Sequence, residues 1–536
     1  MTRIPRTVKR RAPGAWSAIA LAAALLLGTA PARSADLRVS SAGDAGTLDP
    51  QSQNIIPTAQ LLSQIYEPLV NRGPKLELEP ALAVRWETVE PTRWRFHLRT
   101  GVTFQDGSPF TAQDVVFSIK RVQAPSSNYA NFADDIVGVV AVDPATVDIV
   151  TSEPDPILVD KISSVMMLSE AWCQANHAEV PQNAAQQQES FTTRHTNGTG
   201  PFQLVSREPQ VKTVLERFPG WWGHAGGNVT RYIALPIGSP ATRVAAFLSG
   251  EVDILLDPPL QDLDRLRQSP GVKVLEGPEI RTMFLVMDQA RDELLYSDVK
   301  GRNPFKDHRV RQALYQATDI EAIRSRLMRG FVQPSGLLFG PGVRGYPPDM
   351  DTRLKYDPPA AKALLAEAGY PKGFSVTLDC PNNRYVNDAD VCAALAAMWA
   401  KIGVTVAVNA QPLTLFFPKV QRKDTSLFFL GSGSATLDAY YMLQNHLLMP
   451  DGKPGDGTWN LGGYNNPALI KTIQQVRTEL DPAKRDALIR DALQEYKRDI
   501  PNLPLYHQKI AWAARRGVDV SIRADNEMEA KWVTIQ

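Results

Sequence analysis

The clearest binding chemistry in the sequence lies in residues 380–385, Cys-Pro-Asn-Asn-Arg-Tyr. The guanidinium group of Arg384 is planar and permanently charged, so it can hold a carboxylate through two parallel hydrogen bonds. The segment lies between a predicted strand and a predicted helix, where ligands of open α/β sheets commonly bind. We therefore expect Arg384 to contact a bound anion, with Tyr385 and Asn383 beside it. The alternative is a structural arginine that caps nearby carbonyl groups.

The sequence carries no recognisable catalytic motif. No two of its seven histidines lie within four residues of each other, as a helical metal-binding pair would require. Residues 431–435, Gly-Ser-Gly-Ser-Ala, lack the G-x-S-x-G order of a nucleophile elbow, and no phosphate-binding loop occurs. We expect no enzyme, no cofactor and no metal, while an exported hydrolase whose acids meet only on folding stays an alternative.

Three cysteines, Cys173, Cys380 and Cys392, are spaced unlike the ligands of a zinc site. In an oxidising compartment Cys380 and Cys392 can form a disulfide that closes a short loop, leaving Cys173 single. Two buried free thiols are the alternative, because sequence does not fix the separation of the two Cα atoms.

The elements that must position Arg384 can be predicted from their periodicity. Residues 374–380 alternate between apolar and polar positions, as a strand does. Asn387 or Asp388 is expected to cap a helix that ends at Gly403, and residues 404–408 form a second strand. A strand, a helix and a strand joined by short links predict a parallel pair with a right-handed crossover.

Further elements are predicted from their helix caps. Thr111 is expected to begin an amphipathic helix after a strand at residues 94–98. Residues 318–321 read as a capping box, and Asp357 and Asp481, each followed by proline, are expected to begin two more helices. The chain therefore reads as mixed α/β throughout.

The bulk composition indicates a large globular protein. A chain of 536 residues exceeds the size at which single cores stop growing, about 250–300 residues, so two or three domains are expected. With 43% hydrophobic and 21% charged residues, the composition excludes disordered and fibrous classes.

Residues 1–35 are predicted to be a cleavable secretory signal. A basic start precedes an apolar stretch from Ala15 to Ala30, and small residues suited to cleavage follow. A membrane anchor is the alternative, but the apolar run is shorter than the roughly 20 residues a span needs. Without this segment the chain has 52 basic and 57 acidic residues, and the resulting net charge of −5 gives no support for nucleic-acid binding.

An ordered series of motifs resembles the family 5 extracellular solute-binding proteins, the dipeptide, oligopeptide and nickel receptors of ABC importers. The longest is the segment at residues 94–115, WRFHLRTGVTFQDGSPFTAQDV. The others run from about residue 38 to the C-terminus in the family's order: TLDP (47–50), YEPLV (66–70), GTGPF (198–202), WWG (221–223), GEVDI (250–254), DHRVRQAL (307–314) and PLY (504–506).

The resemblance implies two α/β lobes joined by two crossing segments, with an added α/β subdomain on the first lobe. Lobe one is expected at residues 36–290 plus 508–536, the subdomain at 80–195 and lobe two at 291–507. It also implies a periplasmic receptor, expected as a monomer, that binds a peptide or peptide-like solute between the lobes. An ABC permease with separate ATPase subunits would receive the solute.

In dipeptide receptors the arginine matching Arg384 holds the ligand carboxylate, and an acidic residue in a second loop binds the ligand amine. Here the acidic position falls at Ser434 or Ala435, which puts dipeptide specificity in doubt. Ser434, Asp438 and Tyr440 are further candidate contacts, although Asp438 matches an aspartate with a structural character in the family. An opine, another non-peptide solute or a metal chelate remains an alternative ligand, and a periplasmic chaperone is an alternative function.

Overall fold

A computed structural model describes residues 1–2, 35–183, 189–450 and 455–536. The predicted signal segment lies almost wholly outside these ranges and stays a prediction. Within them, no helix combines the length and the apolarity that a membrane span requires.

The described part of the chain alternates strands and helices throughout. Its strands are β1 (Asp36–Ser41), β2 (Val70–Arg72), β3 (Leu78–Pro80), β4 (Ala83–Glu90), β5 (Arg93–Leu98), β6 (Ile136–Asp143), β7 (Thr146–Thr151), β8 (Phe202–Glu208), β9 (Lys212–Arg217), β10 (Arg231–Pro236), β11 (Ile254–Leu256), β12 (Val272–Met287), β13 (Val332–Pro334), β14 (Ser375–Pro381), β15 (Thr405–Gln411), β16 (Leu427–Gly433), β17 (Asn502–Arg515), β18 (Val518–Asp519) and β19 (Thr534–Ile535). Its α-helices are α1 (Ile56–Leu62), α2 (Ala112–Val122), α3 (Leu158–Ile162), α4 (Glu170–Ala175), α5 (Pro240–Ser249), α6 (Leu263–Gln268), α7 (His308–Gln316), α8 (Ile320–Ala322), α9 (Pro358–Glu367), α10 (Asp388–Ala400), α11 (Leu413–Gln421), α12 (Ala439–Leu447), α13 (Pro467–Thr478) and α14 (Pro482–Asp499).

One sheet runs through both halves of the molecule, in the order β15-β14-β16-β12-β17-β11-β1-β10-β9-β8, with β13 also paired to β17. The antiparallel strands β12 and β17 lie in the middle of it and join its two halves. β17 pairs with β11, on the side of β1, β8, β9 and β10, and the last part of β12 pairs with β16, on the side of β14 and β15. The register between β12 and β17 shifts between Pro278 and Thr282. A bulge of this kind bends a strand, and this one lies where the chain passes from one half to the other.

A separate antiparallel sheet, β4-β5-β7-β6, packs against helix α2. The strand predicted at residues 94–98 is confirmed within β5, and the helix predicted after Thr111 is confirmed as α2. Thr111 and Asp114 form a reciprocal capping box at its start. The inward residues Val115, Ile119 and Val122 are buried in a hydrophobic core of their own.

The predicted strand–helix–strand unit is confirmed as β14, α10 and β15. The two strands are parallel, with Ser375 opposite Thr405, and Val391 and Leu395 on α10 are fully buried. The caps predicted at Asp357 and Asp481 are also confirmed, since each carboxylate accepts a hydrogen bond from the first turn of its helix. Local sequence therefore determines the scaffold on which the Arg384 loop is built.

The capping box predicted at Thr318 is wrong by one residue. Helix α8 begins after Asp319, whose carboxylate accepts a hydrogen bond from the Ala322 amide at 3.0 Å. Thr318 is not free to cap, because its hydroxyl donates to the Leu314 carbonyl of the preceding helix at 2.8 Å.

The predicted side-chain cap of α10 is also wrong. Asn387 precedes the helix in a left-handed backbone conformation, with φ of 53°, and its amide donates to the Leu327 carbonyl. Asp388 is the first helical residue, and its carboxylate accepts hydrogen bonds from the amides of Arg384 and Tyr385 at 2.9 and 3.0 Å. Both side chains therefore hold the loop that carries Arg384.

Separate hydrophobic clusters fill the two halves. Two clusters surround β12–β17 on the side of β14 and β16, two lie on the side of β1 and β11, and the four-stranded sheet has its own. The predicted limits of the lobes and of the subdomain stay predictions.

A disulfide joins Cys380, at the end of β14, to Cys392 in α10, with the two Cα atoms 6.6 Å apart. Cys173 is buried as a free thiol. The cross-link closes the loop that contains Arg384, so it restricts the positions that this loop can take before a ligand binds.

The cross-link predicts a thiol count for the exported protein. Alkylation with iodoacetamide in denaturant should add one group before reduction and three after it, because two of the three cysteines are bonded to each other. Intact-protein mass spectrometry makes the measurement. Three additions without reduction would show that Cys380 and Cys392 are free thiols.

Candidate functional site

A cavity of about 680 Å³ lies between the two halves of the molecule. Its walls come from α1, residues 163–166 and residues 523–529 on one side, and from Arg384, α11 and residues 433–437 on the other. Its volume lies within the range of small-molecule sites, about 300–1,000 Å³. Apolar side chains make up much of the lining, among them Ile56, Leu62, Phe132, Met166 and Phe417.

Arg384 lines this cavity from the loop between β14 and α10. The loop is fixed by the Asp388 carboxylate, by the disulfide behind it and by the ring of Tyr385, whose centroid lies 5.3 Å from the guanidinium carbon of Arg384. Among the residues that the structure describes, none forms a hydrogen bond or an ion pair with this guanidinium. Arg384 therefore presents unused donors to the cavity.

The electrostatic surroundings of Arg384 favour an incoming anion. Removal of water by the cavity walls, followed by the nearby charge of Arg281, lowers the pKa of Arg384 from its ordinary value. The guanidinium carbon of Arg281 lies 5.8 Å from the centroid of the same Tyr385 ring. Two guanidinium groups on one ring attract a carboxylate that neutralises their mutual repulsion.

Glu279 and Arg281 line the cavity but escaped the sequence analysis. Both lie in the irregular part of β12 between Pro278 and Thr282, where the bulge directs side chains between the halves. The Nε atom of Arg281 lies 3.1 Å from an oxygen of Glu279. Local sequence gave no signal for this bulge, because it arises from the pairing of β12 with a distant strand.

Asp438 and Ser434 were candidate ligand contacts, and the structure gives both of them internal partners instead. Asp438 is fully buried, and its carboxylate pairs with Arg485 at 2.6 Å and with Arg344 at 2.9 Å. The Ser434 hydroxyl donates to the Asp438 carbonyl at 2.7 Å and accepts from the Asp438 amide at 3.0 Å. Neither side chain lines the cavity in the described part of the chain.

The same carboxylate belongs to a charge network that joins the two halves. Arg344 contacts Asp438 on one side and Asp160, in α3, on the other, at 2.6 Å. Arg72 also pairs with Asp160, at 2.8 Å, and donates to the Thr436 carbonyl at 3.2 Å. These contacts hold the cavity walls together, and Arg72 also lines the cavity.

The remaining predicted contacts are placed as follows. The Tyr385 hydroxyl donates to the Gly431 carbonyl at 3.1 Å, and the residue is 8% exposed. Tyr385 therefore supports the Arg384 side chain from the protein interior. Asn383 accepts a hydrogen bond from the Leu413 amide at 2.8 Å and thereby holds the start of α11. Tyr440 is buried beside a different, small polar cavity that includes Lys161, and its contact with a ligand stays a prediction.

The C-terminal segment supplies the opposite charge to the cavity. Arg523 donates to Glu529 at 2.6 Å and pairs with Asp525, while Glu527 is 3.7 Å from Arg523. Lys531 also pairs with Glu529. This segment was not predicted, although its acids at every second position, residues 525–529, are visible in the sequence.

Metal chemistry has no evident site in the parts of the chain that the structure describes. There, no three His, Cys, Asp or Glu side chains are grouped closely enough to hold a metal ion.

Residues 77–453 match the family model described as bacterial extracellular solute-binding proteins, family 5 Middle. The chain is 24% identical over 509 residues to the glutathione-binding protein GsiB of Escherichia coli (strain K12), across 92% of this chain and 93% of that protein. It is 26% identical over 495 residues to the periplasmic oligopeptide-binding protein OppA of Salmonella typhimurium, across 86% and 85% of the two chains.

Solved structures confirm the predicted two-lobed α/β fold. A dipeptide-binding protein from Pseudoalteromonas sp. SM9913, in complex with Met-Leu, superposes with a TM-score of 0.78 at 20% identity, covering 94% of this chain and 100% of that one. The binding protein AgaA from A. tumefaciens R10, in complex with agropinic acid, gives a TM-score of 0.75 at 23% identity over 94% and 99%.

The internal pairing of Asp438 predicts that this residue governs stability. Burial of the Asp438 carboxyl favours its neutral form, but hydrogen bonds from Arg485 and the charge of Arg485 outweigh this effect and hold its pKa below the ordinary value. Asp438→Asn should therefore lower the free energy of unfolding by about 3–5 kcal/mol at pH 7, because it leaves buried Arg485 without its counter-charge. The difference should shrink as the pH falls below about 3.9.

Asp349→Asn is the matched control, since Asp349 pairs with Arg490 on the surface and its side chain is 64% exposed. It should cost less than about 1 kcal/mol. Urea-induced unfolding followed by tryptophan fluorescence compares the two variants. Equal stability of both variants, with loss of ligand binding only in Asp438→Asn, would return Asp438 to the list of ligand contacts.

Proposed function

Because the chain belongs to the family 5 extracellular solute-binding proteins, we propose that it captures a carboxylate-bearing, peptide-like solute in the cavity between its lobes. The observation that carries the proposal is Arg384, whose guanidinium faces the cavity and has no hydrogen-bond or ion-pair partner among the described residues. A bound carboxylate would accept the hydrogen bonds that the Arg384 guanidinium does not donate to any described group of the protein.

The balance of polar and apolar lining agrees with a small organic solute. A micromolar solute requires about −8 kcal/mol of net binding free energy. Charge-assisted hydrogen bonds to Arg384 and burial of apolar groups against residues such as Phe132 and Phe417 are of the right size to supply it.

The names of the relatives support a peptide-like ligand. GsiB is named for glutathione and OppA for oligopeptides, and both kinds of molecule end in carboxylates. The loop after β16 carries Ser434 and Ala435 where dipeptide receptors place an acid, so this chain would recognise any ligand amine by another route.

Delivery follows from closure of the lobes around the solute. A ligand shifts the balance of open and closed forms only by the difference in its affinity for the two. The permease of an ABC importer would recognise the closed form of the receptor, and separate ATPase subunits would supply the energy for transport. In this proposal the receptor is a monomer in the periplasm, residues 1–35 are its export signal, and the solute leaves chemically intact.

The proposal predicts the effect of removing one charge. Arg384→Gln should weaken binding of the solute by about 1.5–3 kcal/mol, the size of a charge-assisted hydrogen bond. Native mass spectrometry of the protein purified from its own host identifies the retained solute, and calorimetry then measures its affinity for both proteins. The retained mass should equal that of an unaltered solute.

Arg422→Gln provides a control, because Arg422 is an exposed arginine at the end of α11 that does not appear in the cavity lining formed by the described residues. It removes the same net charge and should leave the affinity within about twofold of wild type. Equal affinity for all three proteins would exclude Arg384 from the site, and a cleaved product in place of an intact solute would indicate an enzyme.

A further inference from the structure

The basic and acidic side chains that line the cavity are equal in number. It contains four arginines and four acids: Arg72, Arg281, Arg384, Arg523, Glu279, Asp525, Glu527 and Glu529. Most of these side chains already satisfy one another or a neighbour. The ionisable groups that have no such partner therefore indicate which charges a ligand must carry.

Three of the four arginines that line the cavity already have partners in the protein. Arg72 is held by Asp160 and by carbonyl groups, and Arg281 is held by Glu279. Arg523 is bracketed by Asp525 and Glu529.

Two groups of opposite sign are left, and they approach the cavity from opposite lobes. Arg384 comes from the loop after β14, and Glu527 comes from the C-terminal segment after β18. No hydrogen bond reaches the Glu527 carboxylate from the described residues, and its nearest cation, Arg523, is 3.7 Å away and already committed to shorter pairs. Glu527 thus has no hydrogen-bonded partner among the described residues and only a long ion pair with Arg523.

We propose that the cavity takes a dipolar solute, whose carboxylate pairs with Arg384 and whose cationic group, such as a protonated amine, pairs with Glu527. This inference rests on the proposed function and adds the class of solute and a second specificity-determining residue. It also resolves the absence of an acid at residues 434–435, because lobe one would supply the negative charge that lobe two lacks.

The surroundings of Glu527 make this pairing proton-linked. Burial, followed by the charge of Asp525, raises the pKa of Glu527 to about 8, so this carboxyl carries a proton at neutral pH when the cavity holds no cation. A bound cation favours the ionised form and expels that proton. The charged and titratable groups around it are Arg523, Asp525, Glu529, Lys531, Arg72 and Tyr129. Affinity for a cationic group should therefore rise with pH up to about 8.

The test uses full-length protein freed of solute by unfolding and refolding. Thermal-shift screening compares solutes sorted by charge into zwitterions, anions, cations and neutral molecules. The matched probes are Met-Leu, N-acetyl-Met-Leu and Met-Leu amide, and the tightest hit of the screen is measured with its own derivative lacking the cation. Calorimetry at pH 7 in buffers of different ionisation enthalpy counts the protons released on binding.

We expect zwitterions to give the tightest hits and to release close to one proton, and removal of the cation to abolish that release. Glu527→Gln should weaken zwitterion binding by at least about tenfold and remove the proton release, whereas exposed Glu208→Gln should change neither.

The number of protons released by the wild-type protein tests the inference even if Glu527→Gln does not fold. A tight hit without a cationic group, or unchanged affinity after its acetylation, overturns the inference and leaves the proposed function standing. Failure of every charge class to bind overturns both.

Discussion

An uncompensated charge facing the cavity is the constraint on which the structure depends. Arg384 is exposed to the cavity and has no hydrogen-bond or ion-pair partner among the described residues, so its position depends on the loop that carries it. Asp388 fixes the backbone of the Arg384 loop, Tyr385 lies against its guanidinium, and the disulfide closes the loop from behind. Because no described group of the protein bonds to the Arg384 guanidinium, its donors are available to a ligand carboxylate.

A second network of charges keeps the walls of the cavity together. Arg344 links Asp438 in one half to Asp160 in the other, and buried Arg485 completes the pairing of Asp438. Asp438, Asp160 and Arg485 are buried and paired within the protein. We therefore propose two roles for these charges: paired groups join the walls of the cavity, and Arg384 and Glu527 contact the solute.

Sequence predicted the local parts of this arrangement and missed those made by distant pairing. The β14–α10–β15 unit, the Asp357 cap and the position of Arg384 follow from periodicity and helix caps over short stretches. Thr318 and Asn387 were misassigned because their side chains satisfy carbonyl groups on neighbouring elements. Arg281 was not found, since a bulge in one crossing strand has no local signature. Glu527 was not found either, because the alternating acids at residues 525–529 do not show that the C-terminal segment returns to the cavity. Family resemblance, in contrast, identified the two-lobed fold from scattered motifs.

A crystal structure of the protein purified from its own host with its retained solute tests the central claim most directly. The account predicts an intact solute between the lobes with a carboxylate oxygen within about 3 Å of the Arg384 guanidinium. A solute bound elsewhere, or one between the lobes whose carboxylate avoids Arg384, would contradict it.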